Sequence, residues 1–154
     1  MLPRTYDNQV CSIARALEAI GDRWTMLVIR DAFMGVRRFE DFQSDLGVAR
    51  NVLSDRLTRL VEDRILERRP YQEHPTRHEY LLTARGSALW PVLVSLMKWG
   101  DRFAPADGGP PARMRHRGCG GEVTERLDCD RCGEPLEPET MVVERRADLR
   151  PAPA

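Results

Sequence analysis

Two pairs of metal-ligating side chains stand in the last third of the chain. His116-x2-Cys119 and Cys129-x2-Cys132 form two knuckles separated by nine residues, and each is trailed by a glycine, Gly120 and Gly133, that lets backbone wrap close to an ion. Three thiolates and one imidazole match a closed tetrahedral zinc site, which is structural because no position is left open for a substrate. A segment with so few apolar residues needs such a staple to fold. The alternatives are a ribbon without its metal, or thiols in a loose tail, and the choice turns on His116 as the fourth ligand. A fourth cysteine, Cys11, stands alone at the start of a helical pattern. There the helix dipole favours the thiolate and raises its reactivity; free cysteine is also a small hydrophobe that suits a buried seam. The residues leave both readings open.

The other chemistry-bearing stretch runs from Val48 to Leu82. It predicts a helix from Ala49 to about Asp63, then two strands, Ile65–Tyr71 and Arg77–Leu82, joined by the loop Gln72–Thr76. A helix followed at once by a charged hairpin is the reading head of a winged helix-turn-helix: helix in the major groove, hairpin on the adjacent backbone. Leu53, Leu57, Leu60 and Val61 form one inward stripe. At 100° per residue, Asn51, Ser54, Asp55 and Thr58 fall on the opposite side, with Arg50 and Arg59 on the flanks. Short amides and hydroxyls reach base edges, and guanidinium groups suit guanine or phosphate. Taken alone, this face also reads as a solvated surface that touches nothing, and the neighbouring sequence decides between the two.

The elements that position this head precede it. Ile13, Ala16, Leu17 and Ile20 give a first helix opened by Cys11 and closed by Gly21. Asp22 is placed to cap a second, nearly all-apolar helix over Arg23–Met34. Arg37 and Arg38 lead into a third helix with Phe39, Phe42 and Leu46 inward, and Gly47 makes the turn into the reading helix. Beyond the hairpin, Thr83 is placed to cap a long helix running to about Phe103, with Leu89, Leu93, Leu96, Gly100 and Phe103 in a heptad-like seam. So apolar a helix at the end of a small domain predicts a partner subunit; the alternative is that it folds back on its own core. Residues 104–112 (APADGGPPA) are a Pro/Gly linker, and no internal repeat stands out.

These pieces together resemble the HxlR family of bacterial winged-helix transcription regulators. The resemblance is carried in order by Cys11, GDRWTMLVIRDAFMG at 21–35, RRFEDF at 37–42, NVLSDRLTRLVEDRILER at 51–68, YQEHPTRHEYLLTARG at 71–86 and the closing KWGDRF, and covers about residues 11 to 103. It implies a homodimer built through the first and last helices, with two reading helices in successive major grooves of a pseudo-palindromic double-stranded operator. Position by position it implies DNA contacts from Arg37 and Arg38 before the scaffold helix, Asn51, Ser54 and Arg56 on the reading helix, and His74, Pro75 and Arg77 in the wing. It also matches Cys11 to an N-terminal cysteine that senses oxidants or electrophiles in part of the family. Where the family commonly opens the reading helix with a small hydroxyl residue, this chain has Ala49, which costs a cap of about 0.5–2 kcal/mol. The family's phosphate contact at this position is expected to go with the cap, and Arg50 is the candidate to substitute for it.

Bulk composition bounds these readings. The chain has 154 residues, 42% apolar, enough for one domain and a small annex. Lys and Arg number 24 against 24 Asp and Glu, so no global positive charge drives association with nucleic acid. Residues 37–85 hold ten arginines and nine acids, a net of +1, so affinity must come from arrangement and from a doubled site. No apolar run has the length of a membrane span and the first residues lack a signal-peptide layout, which places the protein in the cytoplasm. No phosphate-binding glycine loop, HExxH or nucleophile elbow is present, and nothing brings His74 or His78 to Cys11, so no enzyme is expected.

The expected architecture is mainly α with a small β-hairpin wing: a winged helix-turn-helix with a C-terminal zinc-ribbon-like annex. Residues 1–104 form the DNA-binding and dimerisation domain, 105–112 the linker, 113–146 the ribbon, and 147–154 a disordered tail. The expected function is a sequence-specific regulator of transcription, a homodimeric repressor released by a small-molecule effector or by an oxidant at Cys11. The competing class is a protein-interaction module that docks its partner through the ribbon, with DNA contact vestigial.

Overall fold

The leucine stripe of the reading helix sits at the centre of the observed core. A computed structural model describes residues 6, 9–124 and 126–142. Its elements run α1 (Ser12–Ile20), α2 (Thr25–Phe33), α3 (Phe39–Leu46), α4 (Arg50–Glu62), β1 (Leu66–Gln72), β2 (Arg77–Leu82), α5 (Ala84–Ser87) and α6 (Trp90–Phe103), then a short 3-10 turn at Pro138–Thr140. The chain divides into two compact units, 1–93 and 94–154. The expected tail, 147–154, lies outside the described residues.

In the first unit, Leu53, Leu57 and Leu60 of α4 are fully buried with Val28 and Ile29 of α2, Phe42 of α3, and Ile65 and Leu66. Burying each such side chain contributes about 1.5–3 kcal/mol. α2 packs on α3, α4 and β2, and α4 packs on β1, so the helix-turn-helix and the hairpin share one core. The turn is made by Gly47, which adopts the left-handed conformation (φ +60°) that an L side chain resists. At the far end of α4, Arg64 takes the left-handed position (φ +57°) and the Ile65 N–H closes back onto the Leu60 carbonyl. That closure holds Ile65 in the helix terminus, so β1 begins at Leu66, one residue later than the alternation predicts.

The hairpin is antiparallel, with Leu66 opposite Leu82 and Pro70 opposite His78, and a bulge at Tyr71 before Gln72 pairs with Arg77. Pro70 sits on a strand with no further neighbour, where its missing N–H costs no ladder bond. Arg38 adds an isolated bridge to Glu79, and the Tyr80 N–H donates to the Arg37 carbonyl at 2.8 Å. The entry to α3 is thereby tied to the wing.

The structure departs from the sequence expectation after Thr83. Thr83 does cap a helix, its Oγ1 accepting the Gly86 N–H at 3.0 Å, but that helix is the single turn α5. A Cβ at Gly86 would collide with the Ile65 carbonyl, so α5 lies hard against the start of the hairpin. The long helix then breaks and restarts as α6, because Pro91 has no N–H to give to the preceding turn. Proline is tolerated in a first turn, and that is where α6 places it. The second helix likewise starts later than expected, at Thr25. Asp22 lends its Oδ1 to the Trp24 N–H at 3.4 Å without serving as the N-cap.

One carboxylate is buried in this unit. Asp31 on α2 has no exposed surface; its Oδ1 pairs with Arg30 at 2.7 Å, and its Oδ2 has no hydrogen-bond partner among the described residues. Burial pushes its pKa above the ordinary 3.8, outweighing the opposite pull of Arg30, and Asp45 adds to the rise. The folded state therefore holds this proton to higher pH than the unfolded chain does. The group costs stability once pH climbs through that window, and the cost persists at neutral pH. In urea titrations of Asp31→Asn and the wild type, the stability difference is expected to move in the variant's favour as pH rises from about 3.8. A pH-independent difference would mean that Asp31 is not desolvated.

Candidate nucleic-acid interface

The predicted DNA-contacting residues sit on α4, on the approach to α3 and in the hairpin. Arg37, Arg38, Arg50, Asn51, Ser54, Asp55, Arg59, His74 and Arg77 are exposed. The outward position of those on α4 follows from the leucines: once Leu53, Leu57 and Leu60 face the core, the helical period sends Asn51, Ser54 and Asp55 to solvent. Ala49 is the N-cap of α4 and provides no side-chain hydrogen bond, as its methyl group dictates. The first N–H groups of α4 thus have no side-chain acceptor from their own cap, and a helix N-terminus with uncapped donors suits a phosphate.

Two of the arginines are held by rings. The Arg50 guanidinium lies 4.6 Å from the centre of the Phe39 ring, and that of Arg38 lies 4.6 Å from the centre of the Tyr71 ring. Stacking uses the face of the guanidinium and keeps the charge, whereas an ion pair would neutralise it. Phe39 and Tyr71 thereby become positioning residues for cations on α4 and on the approach to α3. In sequence, Phe39 reads as an inward core residue and Tyr71 as a strand residue, so neither signals this role.

Arg56 is placed differently from its neighbours. It is half-buried, and its Nη1 reaches the Asp22 carboxylate at 2.9 Å and its Nη2 the Asp55 carboxylate at 3.2 Å. Asp55 also takes Arg59 at 3.4 Å. Arg56 thus fastens α4 to the turn between α1 and α2, and Asp55 balances both it and the exposed Arg59. Asp22 belongs to this arrangement as well. Its sequence signal, a cap position before α2, points to another role.

The wing carries further cations. Arg69 pairs with Glu79 at 2.8 Å, and Arg68 Nη2 lies 3.0 Å from His78 Nδ1. The guanidinium can only donate, so Nδ1 accepts. Both arginines are exposed; the sequence reading did not single them out, although they stand side by side as Arg37 and Arg38 do.

Away from this surface, Cys11 is the N-cap of α1 and is exposed. The Ala14 and Ile13 backbone N–H groups hold its thiol below the ordinary 9.0. The four predicted zinc ligands fall into two pairs: His116 Nδ1 is 3.3 Å from Cys119 Sγ, and Cys129 receives hydrogen bonds from Cys132 and the Arg131 backbone that lower its thiol pKa. Among the described residues no group of three or more His, Cys, Asp or Glu is gathered as a metal site.

With this geometry in place, comparison with known proteins identifies the fold. A family model described as HxlR-like helix-turn-helix matches residues 19–107. The chain belongs to that family. It is 46% identical over 133 residues to an uncharacterized HTH-type transcriptional regulator of Mycobacterium tuberculosis, covering 86% of this chain and 84% of the relative. The crystal structure of PA1607, described provisionally as a transcription factor, superposes with a TM-score of 0.81 at 39% identity, covering 89% of this chain and 96% of that one. The oxidized form of the redox regulator HypR superposes with a TM-score of 0.55 at 28% identity, covering 58% of this chain and 94% of HypR. The HxlR-type chain is therefore a DNA-binding transcriptional regulator of winged helix-turn-helix type, and not an enzyme. Among the described residues no helix is long and apolar enough to cross a membrane.

The Asp22–Arg56 bond generates a test. Asp22→Asn is expected to lower the unfolding free energy by about 1–2 kcal/mol, because it weakens the hold on a half-buried guanidinium. In a double-mutant cycle with Arg56→Gln the two losses should not add. Additive losses would show that the pair contributes nothing to holding α4.

Proposed function

We propose that two copies of this chain pair to bind a pseudo-palindromic operator, repress transcription there, and release the DNA when an effector acts. The observation that carries this reading is the exposure of the polar face of α4 beside a wing rich in arginine, on a fold whose core fixes both. Doubling the site compensates for a chain whose formal charge is zero. The exposed apolar side chains support a dimer. Val10, Ile13 and Leu17 around α1 are 65%, 70% and 42% exposed, and Leu96, Trp99 and Phe103 on α6 are 51%, 60% and 60% exposed. A chain that leaves such groups in water is stabilised by covering them. The two reading helices would then stand about 34 Å apart, one turn of B-DNA, or at a multiple of it.

Release through Cys11 is supported by its exposure and by a thiol held below its ordinary value, and the similarity to the redox regulator HypR points the same way. An effector that binds without oxidising has a candidate seat in a groove of about 250 Å³ lined by Ala16, Ala19, Ile65 and Leu89 with Arg15 and Arg85. In either case the effector acts by favouring one spacing of the two heads, and it changes operator affinity by no more than that preference.

Gel-shift titrations on the DNA upstream of the protein's own gene test the reading. Arg50→Ala and Arg77→Ala should each weaken binding roughly 5- to 100-fold and lower the salt dependence, without changing thermal stability. Sedimentation should report a dimer, which Trp99→Glu should dissociate. Specific binding that is absent at low salt would favour the protein-interaction module. Diamide should release wild-type DNA complexes; if Cys11→Ser is released equally, sensing through Cys11 is excluded.

A further inference from the structure

The described residues after α6 lack what normally holds a polypeptide together. From 104 to 142 no described residue is buried, and Leu127, Met141 and Val142 are 70%, 51% and 80% exposed. Yet their backbone is not irregular. It contains the same loop twice, thirteen residues apart. The His116 N–H donates to the Gly121 carbonyl at 2.7 Å, and the Cys129 N–H donates to the Glu134 carbonyl at 2.9 Å. The Gly120 N–H returns to the His116 carbonyl at 2.8 Å, and the Gly133 N–H returns to the Cys129 carbonyl at 2.9 Å. Arg115 bridges to Glu122 and Asp128 bridges to Pro135, again at equivalent positions. Gly120 and Gly133 adopt φ of +72° and +73°. The ligand spacing already pairs the two knuckles in the sequence; the backbone adds that His116 occupies the position of Cys129, and Cys119 that of Cys132.

We propose that His116, Cys119, Cys129 and Cys132 bind one zinc ion per chain, with the imidazole of His116 standing where a repeated knuckle would have a cysteine. Each knuckle presents two donors from a tight, hydrogen-bonded turn. The His116 Nδ1 to Cys119 Sγ separation of 3.3 Å is near the N···S edge of a tetrahedral zinc site, about 3.5 Å from ordinary Zn–N and Zn–S lengths. Three thiolates with one imidazole favour zinc over hard cations that take oxygen ligands. The two pairs are two halves of one site, and among the described residues they are not gathered around a point. The ion's contribution is to draw them together, so metal binding and the closing of this segment are one event. Among the described residues from 104 to 142 no apolar core competes with the ion for that role, which is why a closed, structural site fits here.

The experiment uses the full-length chain, purified under reducing conditions without added chelator. Elemental analysis should find one zinc per chain, released when a mercurial blocks the thiols. The apo chain, prepared in acid with chelator and refolded, should take up one equivalent of Co2+ with the intense visible bands of tetrahedral thiolate coordination. His116→Cys should keep one equivalent and intensify the thiolate-to-cobalt charge-transfer band. His116→Ala should weaken Co2+ binding at least tenfold, and Cys129→Ser should abolish the tetrahedral spectrum, while α-helical circular dichroism from the first unit reports that each variant still folds. A chain that is metal-free as purified and takes up no stoichiometric Co2+ would overturn the proposal. So would a Cys129–Cys132 disulfide in the reduced preparation, or metal uptake unaffected by these substitutions.

Discussion

The burial of three leucines on one side of α4 is the constraint on which the recognition surface depends. Leu53, Leu57 and Leu60 have essentially no exposed area, and their partners come from α2, α3 and the start of the hairpin. A helix clamped along one stripe has no rotational freedom left about its axis. The residues offered to solvent are then decided by the period of the helix alone. Gly47 sets the angle at which α4 leaves α3, and Arg56 fixes its flank to the α1–α2 turn, but both act on a helix whose orientation the leucines have already determined.

The charge economy of the surface follows. Three acids beside the reading helix and wing are matched to arginines: Asp55 to Arg56 and Arg59, Glu79 to Arg69, Asp22 to Arg56. Those arginines are partly neutralised where they stand. The arginines stacked on Phe39 and Tyr71 are of another kind, since an aromatic ring orients a cation without neutralising it. On a near-neutral surface such cations dominate the local field.

Much of this was legible in the sequence, and the exceptions have physical causes. The α4 stripe, the β2 limits and the Thr83 cap were readable because each rests on local periodicity or on one side chain reaching its own backbone. The break before α6 was also local, but the apolar seam across Thr83–Phe103 masked Pro91, whose missing N–H outweighs a continuous pattern. The inward position of Arg56 was not legible, because its partner Asp22 lies thirty-four residues away and the helical period alone cannot choose between solvent and a distant carboxylate. The rings under Arg38 and Arg50 were hidden for the same reason. The two knuckles were readable from their ligand spacing and trailing glycines, but the matching backbone hydrogen bonds of the two loops were not, because side-chain spacing does not specify them.

The bridge from Arg38 to Glu79 and the bond from Tyr80 to Arg37 splice the scaffold helix and the wing into one ladder. Their relative freedom is surrendered when the protein folds, before any duplex arrives. A mould set in advance loses little conformational entropy on docking. Operator binding by this unit should therefore show a modest heat-capacity change, matched to the area it covers and without the excess that accompanies folding on contact.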